Sequence, residues 1–296
     1  MDADLLKKLL PHEYHAYLIR NGVRADSRGL TSHRSLTIKR DVLNQSVKLS
    51  LAGGPSANNQ NSLSQTNLRV SSAIHQGNTL IIGQACVKPS DHAVLSVKPL
   101  SVSVQLIREI QTLVRRDMQE QKDQYFSDQV QSKLERLLNF TQLNEHKLEI
   151  KFSFNVLTDD GNLFCAITTL AMDLLGQIES THSDIKLIQK LMWESTVCVV
   201  EDQMLADPTQ EESYVTNNLL SVMVFEDGKT LLEKTQTVRT YTNAIQTLEQ
   251  KPSTMNFEQI GKSIEYMKKQ ATSVFKILRD NMEQSENREY TISFNQ

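Results

Sequence analysis

"LTDDGNLFCAITTLAMDLL", Leu157 to Leu175, changes its hydrophobic period part-way along. The residues before it, "HKLEIKFSFNVL", alternate: Leu148, Ile150, Phe152, Phe154 and Val156 share one face, which predicts a half-buried strand. The residues after it repeat at three-four spacing through Leu163, Phe164, Ile167, Leu170, Ala171, Leu174 and Leu175, a stripe wide enough to bury most of a helix. A strand therefore hands over to a core helix through Asp159-Asp160-Gly161. The two carboxylates could be active-site groups, as metal ligand or acid/base. Turn chemistry is the favoured reading: Asp tolerates tight turns, Gly161 supplies positive φ, and an acid suits the positive end of a helix. No histidine or second acid cluster lies nearby in the sequence.

Working outward, Pro11 suits the first turn of a helix over 11–21, with Tyr14, Tyr17 and Leu18 on one face and a stop at Gly22. Ser35 to Lys39 alternates as a short strand. Residues 46–67 are rich in Ser, Asn, Gln and Gly and predict a mobile loop. "NTLIIGQACV" reads as a strand after a turn at His75 to Asn78. Gln105 to Asn139 reads as two helices broken near Asp123 to Ser127, with stripes at Leu106, Ile110, Leu113, Val114 and at Val130, Leu134, Leu137, Leu138. "TVCVVEDQML" and "YVTNNLLSVMVFEDGKTLLEK" form a second β-rich block, the latter a hairpin turning at Asp227-Gly228. The last clear element is a helix from about Asn256 to Met282. Asn256 and Gln259 make a capping box, and Phe257, Ile260, Ile264, Met267, Val274, Phe275 and Leu278 a buried stripe. This order predicts an α+β fold, one domain over 1–296 with similar halves at about 24–157 and 158–296, each a mixed sheet covered by helices.

With 39% hydrophobic and 23% charged residues, the chain can bury a sizeable core. A net charge of -3 argues against gripping nucleic acid alone by a strong positive field. Cys86, Cys165 and Cys198 lie in apolar segments without a Cys-x-x-Cys pair, so buried reduced thiols are expected rather than a disulfide framework or zinc site. "MDADLLKKLLPHEY" lacks the unbroken apolar core of a signal peptide. No apolar run approaches the roughly 20 residues that span a bilayer, so no membrane association is expected.

"ADPTQEES" carries Asp207, Glu211 and Glu212; one could act as an acid or metal ligand, but an exposed acidic turn opened by Asp-Pro is the favoured reading. There is no Walker loop or G-x-G-x-x-G, and Gly53 and Gly54 open no helix. His12 and His15 lack the spacing of a helical metal pair, no Ser-His-Asp set is legible, and Trp193 reads as packing. Arg108, Arg115, Arg116, Lys133 and Arg136 interleave with acids and read as a solvated face rather than an RNA path.

Together these segments resemble the RNase PH-like family. "PHEYHAYLIRNGVRADSRGLTSHRSLTI" is similar to its N-terminal signature, with Arg24, Asp26, Arg28, Leu30 and Arg34 in place. "GNTLIIGQACVKPSD" resembles a family strand. "VLTDDGNLFCAITTLAMDLL" matches the strand-turn-helix motif at Asp160, Gly161, Asn162 and Ala166, with Cys165 where an acid is frequent. "LADPTQEESYVTNNLLSVMVFEDGK" resembles the family's Asp-Pro-Thr strand pair. The resemblance covers nearly the whole chain and implies an RNase PH-like fold of ribosomal protein S5 domain 2-like architecture. It also implies a non-catalytic subunit of the exosome ring in nucleus, nucleolus and cytoplasm. Partners implied are other RNase PH-like subunits in a hetero-hexameric ring, RNA-binding cap subunits, a docked catalytic ribonuclease and single-stranded RNA. No cofactor, metal or catalytic residue is expected.

The departures carry the expectation of inactivity. Where active members have a Gly/Ser-Arg phosphate loop, this chain reads "LLEKTQTVRTYTN", with Thr237 and Arg239 as a faint echo. Their basic segment is reduced here to Lys88 and Lys98. Arg115, Arg116 and Arg239 are the candidate RNA contacts. The alternatives are a phosphorolytic exoribonuclease whose site a neighbour completes, with Asp207 as acid and Arg239 on phosphate, and a scaffold with no RNA role.

Overall fold

The computed structural model describes residues 7, 9–43, 68–90, 99–107, 116–181, 184–200, 203–213, 215, 219–235, 256–284 and 288–294. The loop expected at 46–67, Gly53 and Gly54 included, lies outside them. So do Lys98, Arg108, Ile110, Leu113, Val114, Arg115, Thr237 and Arg239, and the side chains of His12 and Arg116.

Helix α1 (Pro11–Arg20) starts on its proline, as the sequence predicts, and leads to strand β1 (Leu36–Arg40). Strands β2 (Leu68–Gln76) and β3 (Thr79–Pro89) form a hairpin: Gln76 pairs with Thr79, leaving Gly77-Asn78 as the turn, with Gly77 at φ 59°. With β4 (Leu100–Leu106), β5 (Leu148–Thr158) and a C-terminal strand, β10 (Glu289–Ile292), these make a six-stranded sheet ordered β10-β1-β2-β3-β5-β4. Among the described residues only β4 and β5 pair in parallel, and a parallel pair needs a long crossover. That crossover carries α2 (Arg116–Leu137) and the short α3 (Phe140–Glu145).

Here the structure departs from the sequence expectation. Gln105 and Leu106 end a strand, and one uninterrupted helix runs through the break expected at 123–127. The polar residues that suggested a break have another task. Ser127 Oγ accepts the Val104 N–H at 2.9 Å, and Asp123 Oδ1 accepts the Leu106 N–H at 3.3 Å. Strand β4 is a sheet edge, and these side chains satisfy backbone donors that no strand takes up. Ser127 also donates back to the Asp123 carbonyl at 2.6 Å, which lets a serine sit mid-helix.

The second sheet is antiparallel, ordered β7-β6-β8-β9 from β6 (Met192–Val200), β7 (Gln203–Ala206), β8 (Leu219–Phe225) and β9 (Thr230–Thr235). Its β8–β9 hairpin turns at Asp227-Gly228, as expected. Between the sheets runs α4 (Leu163–Thr181), touching β2 and β3 on one side and β6 on the other. It is buried almost throughout, and each fully buried aliphatic such as Leu170 or Leu174 contributes about 1.5–3 kcal/mol. By length and hydropathy α4 could cross a membrane, contrary to the sequence expectation, but 78% of its apolar window is covered by the protein itself.

A four-residue helix, α5 (Gln210–Ser213), precedes β8, and α6 (Phe257–Glu283) closes over α4, β6 and β8. The Asn256–Gln259 capping box forms with both bonds in place. Its stripe is corrected at the start: Phe257 is 93% exposed, because the buried face begins a turn and a half later at Ser263 and Met267. Strand β10 is absent from the sequence expectation. It lies antiparallel to β1, so the chain's last strand completes the sheet begun by its first. The main apolar core spans both sheets, and a smaller cluster of Ile19, Cys198, Val200, Leu205 and Leu219 lies beside it. Cys165 and Cys198 are buried, Cys86 is half-buried, and all are unbridged. Burial pushes the Cys198 thiol up to about 12 and the Cys165 thiol higher still, which keeps both protonated.

Candidate functional site

The quoted turn, the N-terminal arginines and the Asp-Pro-Thr segment meet at one carboxylate. Asp207 follows β7 in a left-handed conformation, φ 49°, and has no exposed surface. Its Oδ2 accepts from the Arg34 backbone N–H at 2.7 Å, Arg34 Nε at 2.9 Å and Arg28 Nη1 at 3.1 Å. Its Oδ1 accepts from Arg34 Nη2 at 2.8 Å, Asn162 Nδ2 at 2.9 Å and Gln76 Nε2 at 3.2 Å. Burial alone would raise the Asp207 pKa, but the bidentate Arg34, His33 and Arg28 outweigh it and hold the carboxylate below its ordinary range. Burial likewise opposes the Arg34 charge, and Asp207 more than offsets it, raising that pKa above its usual value.

Arg34 continues to the turn, donating through Nη1 to the Asp160 carbonyl at 2.8 Å and carboxylate at 3.2 Å, and through Nη2 to the Gly161 carbonyl at 3.3 Å. Asp159 Oδ1 accepts the Gly161 N–H at 2.9 Å. The question raised by the two acids is thereby answered: Asp159 shapes the turn and Asp160 pins it to Arg34. Gly161, at φ 91°, lies against the Asp-Pro-Thr segment so closely that a Cβ would sit 2.6 Å from the Pro208 carbonyl oxygen. The Gln210 N–H donates to the Asp160 carbonyl at 3.0 Å across the same contact. The two motifs are built to fit each other.

Arg24 fastens the other side. It pairs with Glu212 through Nε at 2.9 Å and through Nη2, and donates to the Ala206 and Asp207 carbonyls at 2.8 and 2.9 Å. Thr209 and Glu212 form a reciprocal capping box at the start of α5: the Thr209 N–H reaches Glu212 Oε2 at 2.8 Å and the Glu212 N–H reaches Thr209 Oγ1 at 3.2 Å. The exposed acidic turn expected at "ADPTQEES" is therefore corrected: Asp207 and Glu212 are buried, and only Glu211 faces outward, bonded to the buried His15 at 3.0 Å. A Thr-x-x-Glu signature was available in the sequence, but the distant arginines that make burial possible were not.

A polar chain leaves this node. Asn162 Nδ2 donates to Ser195 Oγ at 3.2 Å, Ser195 Oγ meets His33 Nε2 at 2.9 Å, and His33 Nδ1 meets the Tyr266 hydroxyl at 3.2 Å. Tyr266 donates to the Thr31 carbonyl, so its oxygen accepts, which places the His33 proton on Nδ1 and leaves Nε2 to accept from Ser195. His33 stacks on Tyr266 and touches Trp193 and Phe294. Burial lowers its pKa to about 4, against the pull of Asp207 and with help from Arg28, Arg24 and Arg34. The fold thus brings a serine and a histidine together that no spacing revealed. Ser195 is wholly enclosed, however, and Asp207 is turned to arginines and not to His33, so the set cannot act as a nucleophilic triad.

Two further buried ion pairs lie elsewhere among the described residues. Arg40 pairs with Asp173, which also accepts from Ser72, Gln177 and the Tyr290 hydroxyl. Lys133 pairs with Glu194 at 2.8 Å inside the core. That corrects the solvated face expected for the helical cations: Arg136 is exposed, but Lys133 ties α2 to the second sheet. Lys88 pairs with Glu149 at 3.3 Å. Trp193 is packing, as expected. Among the described residues no group of His, Cys, Asp and Glu is placed to hold a metal.

No protein-family model matches this chain, and no curated protein matches it in sequence. Solved structures do. An archaeal exosome core superposes with a TM-score of 0.59 at 16% identity, covering 97% of this chain and 100% of that one. The fold is RNase PH-like. An Archaeoglobus fulgidus exosome with RNA bound to the active site gives 0.59 at 15% identity over 89% of this chain and 94% of that one. Rice (Oryza sativa) Rrp46 gives 0.57 at 14% identity over 88% and 99%. The RNase PH-like fold extends over nearly the full chain, so the motif convergence at Asp207 belongs to the body of the fold and not to an appended segment.

Proposed function

We propose that this chain is a non-catalytic subunit of an RNase PH-like exosome ring that helps carry RNA to a nuclease on another chain. The observation that carries the proposal is the enclosure of Asp207. A catalytic acid must come within hydrogen-bond reach of the group it protonates. Asp207 has no exposed surface, both oxygens are filled by protein donors, and its arginines hold it ionised. The motif acids serve the turn and the ion-pair node, which supports a retained scaffold over a working site. The likeness to archaeal exosome structures over most of the chain supports the ring. The partners of such a subunit are other RNase PH-like chains in a hetero-hexameric ring, RNA-binding cap subunits, a docked ribonuclease and single-stranded RNA. The motif series follows the pattern of the inactive subunit called exosome component eight, or ribosomal RNA-processing protein forty-three, which works in nucleus, nucleolus and cytoplasm.

Phosphorolysis at a site shared with a neighbour is the second reading, and the RNA in the active site of the Archaeoglobus structure favours keeping it in the test. Native mass spectrometry of the chain drawn from cells, beside a phosphate-dependent RNA decay assay on the same sample, separates the two. A large heteromeric assembly without nucleoside diphosphate release is expected. Steady phosphate-dependent release that Asp207→Asn abolishes while the assembly stays intact by native mass spectrometry would overturn the proposal.

A further inference from the structure

We propose that the cleft between α6 and the β8–β9 turn docks an acidic, extended segment of a partner protein. The cleft holds about 380 Å³ and lies away from the Asp207 node. Its floor includes Phe225 and Phe275, and its rim includes Lys268, Lys276, Arg279 and Glu226. Arg279 occupies Glu226, with Nε at 2.7 Å, so this pair is neutral. Lys268 and Lys276 are exposed and enter no ion pair among the described residues. The cleft is therefore a local positive strip on a chain whose net charge is -3.

The spacing fits an extended segment. Eight residues of helix separate the two lysines by about 12 Å. An extended chain rises about 3.3 Å per residue and alternates its faces, so acids at i and i+4 span that gap on one side, with residue i+2 facing the apolar floor between them. The matching pattern is acid-x-apolar-x-acid. The alternative occupant of a lysine strip is an RNA backbone. Single-stranded RNA gains much of its grip by stacking bases on open aromatic faces. Phe225 and Phe275 are only 6% and 8% exposed, so the cleft offers charge and a narrow apolar seat but no stacking platform. An acidic peptide uses all of these features; RNA would use only the charge.

The inference does not depend on the ring assignment and is tested on the purified full chain by fluorescence anisotropy. The probes are a fluorescein-labelled peptide with a Glu-Ser-Leu-Ser-Glu core and a labelled twelve-nucleotide oligouridylate. The peptide is expected to bind, with affinity falling as salt rises. The double charge reversal Lys268→Glu with Lys276→Glu should weaken it at least about tenfold. Lys262→Glu, on the same helix but outside the cleft, should leave it unchanged. Absence of peptide binding, or affinity untouched by the double reversal, would overturn the proposal. A loss confined to the oligouridylate would overturn it too, and would assign the cleft to RNA.

Discussion

Two buried aspartates hold this molecule together in different ways. Asp207 sits where four separated stretches meet: the N-terminal arginines, the β2 end at Gln76, the 159–162 turn and its own Asp-Pro-Thr segment. Asp173 sits inside α4 and gathers Arg40, Ser72, Gln177 and Tyr290, so that it clamps the helix to one sheet and to the C-terminal strand. At Asp207 one carboxylate meets two arginine side chains directly and a third through its carbonyl. At Asp173 one carboxylate meets one arginine. The first is a hub for turns with little regular structure of their own; the second reinforces contacts that strand pairing already makes.

Substitution should expose that difference. Asp207→Ala removes the anion that buried Arg34 and half-buried Arg28 share, leaving them only the more exposed Asp160 and Asp26, and should cost about 3–5 kcal/mol, read as a lower denaturant midpoint. Asp173→Ala should cost about 3 kcal/mol, since Arg40 keeps backbone acceptors at Gln284 and Asn281. If the two losses prove equal, the hub is no more than an ordinary pair. Gly161→Ala forces a strained φ and a clash with the Pro208 carbonyl, for a loss on the order of 3 kcal/mol; a neutral result would show that the two motifs do not interlock.

The hub also contains a histidine and the Asp173 cluster does not. With an ordinary pKa of 6.5 and a folded value of about 4, His33 stays neutral in the fold while the unfolded chain takes up a proton. Stability is therefore full above 6.5 and declines as pH falls towards 4, by up to about 3 kcal/mol. The decline should vanish in His33→Gln; an unchanged pH profile would place the titrating group elsewhere. The smallest expected effect is Tyr290→Phe. It removes one of several donors to Asp173 and should cost about 1 kcal/mol by chemical denaturation, with amide exchange quickening in β10 before the rest of its sheet.

Much of the fold was legible because it is written in local period. The alternation of β5, the three-four stripe of α4, the Asp227-Gly228 hairpin and the Asn256–Gln259 box each stand in one short window. The misreadings share a cause. Asp123 and Ser127 resemble a helix break until β4 is seen offering them its edge amides. Strand β10 is four residues long, too short for a pattern, and exists because β1 has a free edge for it. Phe257 continues a stripe in sequence after the core behind it has ended.

The sequence by itself determined the long periodic elements, β5, α4 and the β8–β9 hairpin among them, and the turn at Gly161, because helix and strand periods and left-handed turns are properties of neighbouring residues. It also carried the family resemblance that points to an RNase PH-like architecture. Only the tertiary structure decided what the acids do. Burial of Asp207 and Glu212 depends on Arg24, Arg28 and Arg34, far away along the chain. A carboxylate without those partners would stay in water, where the bare sequence had left it.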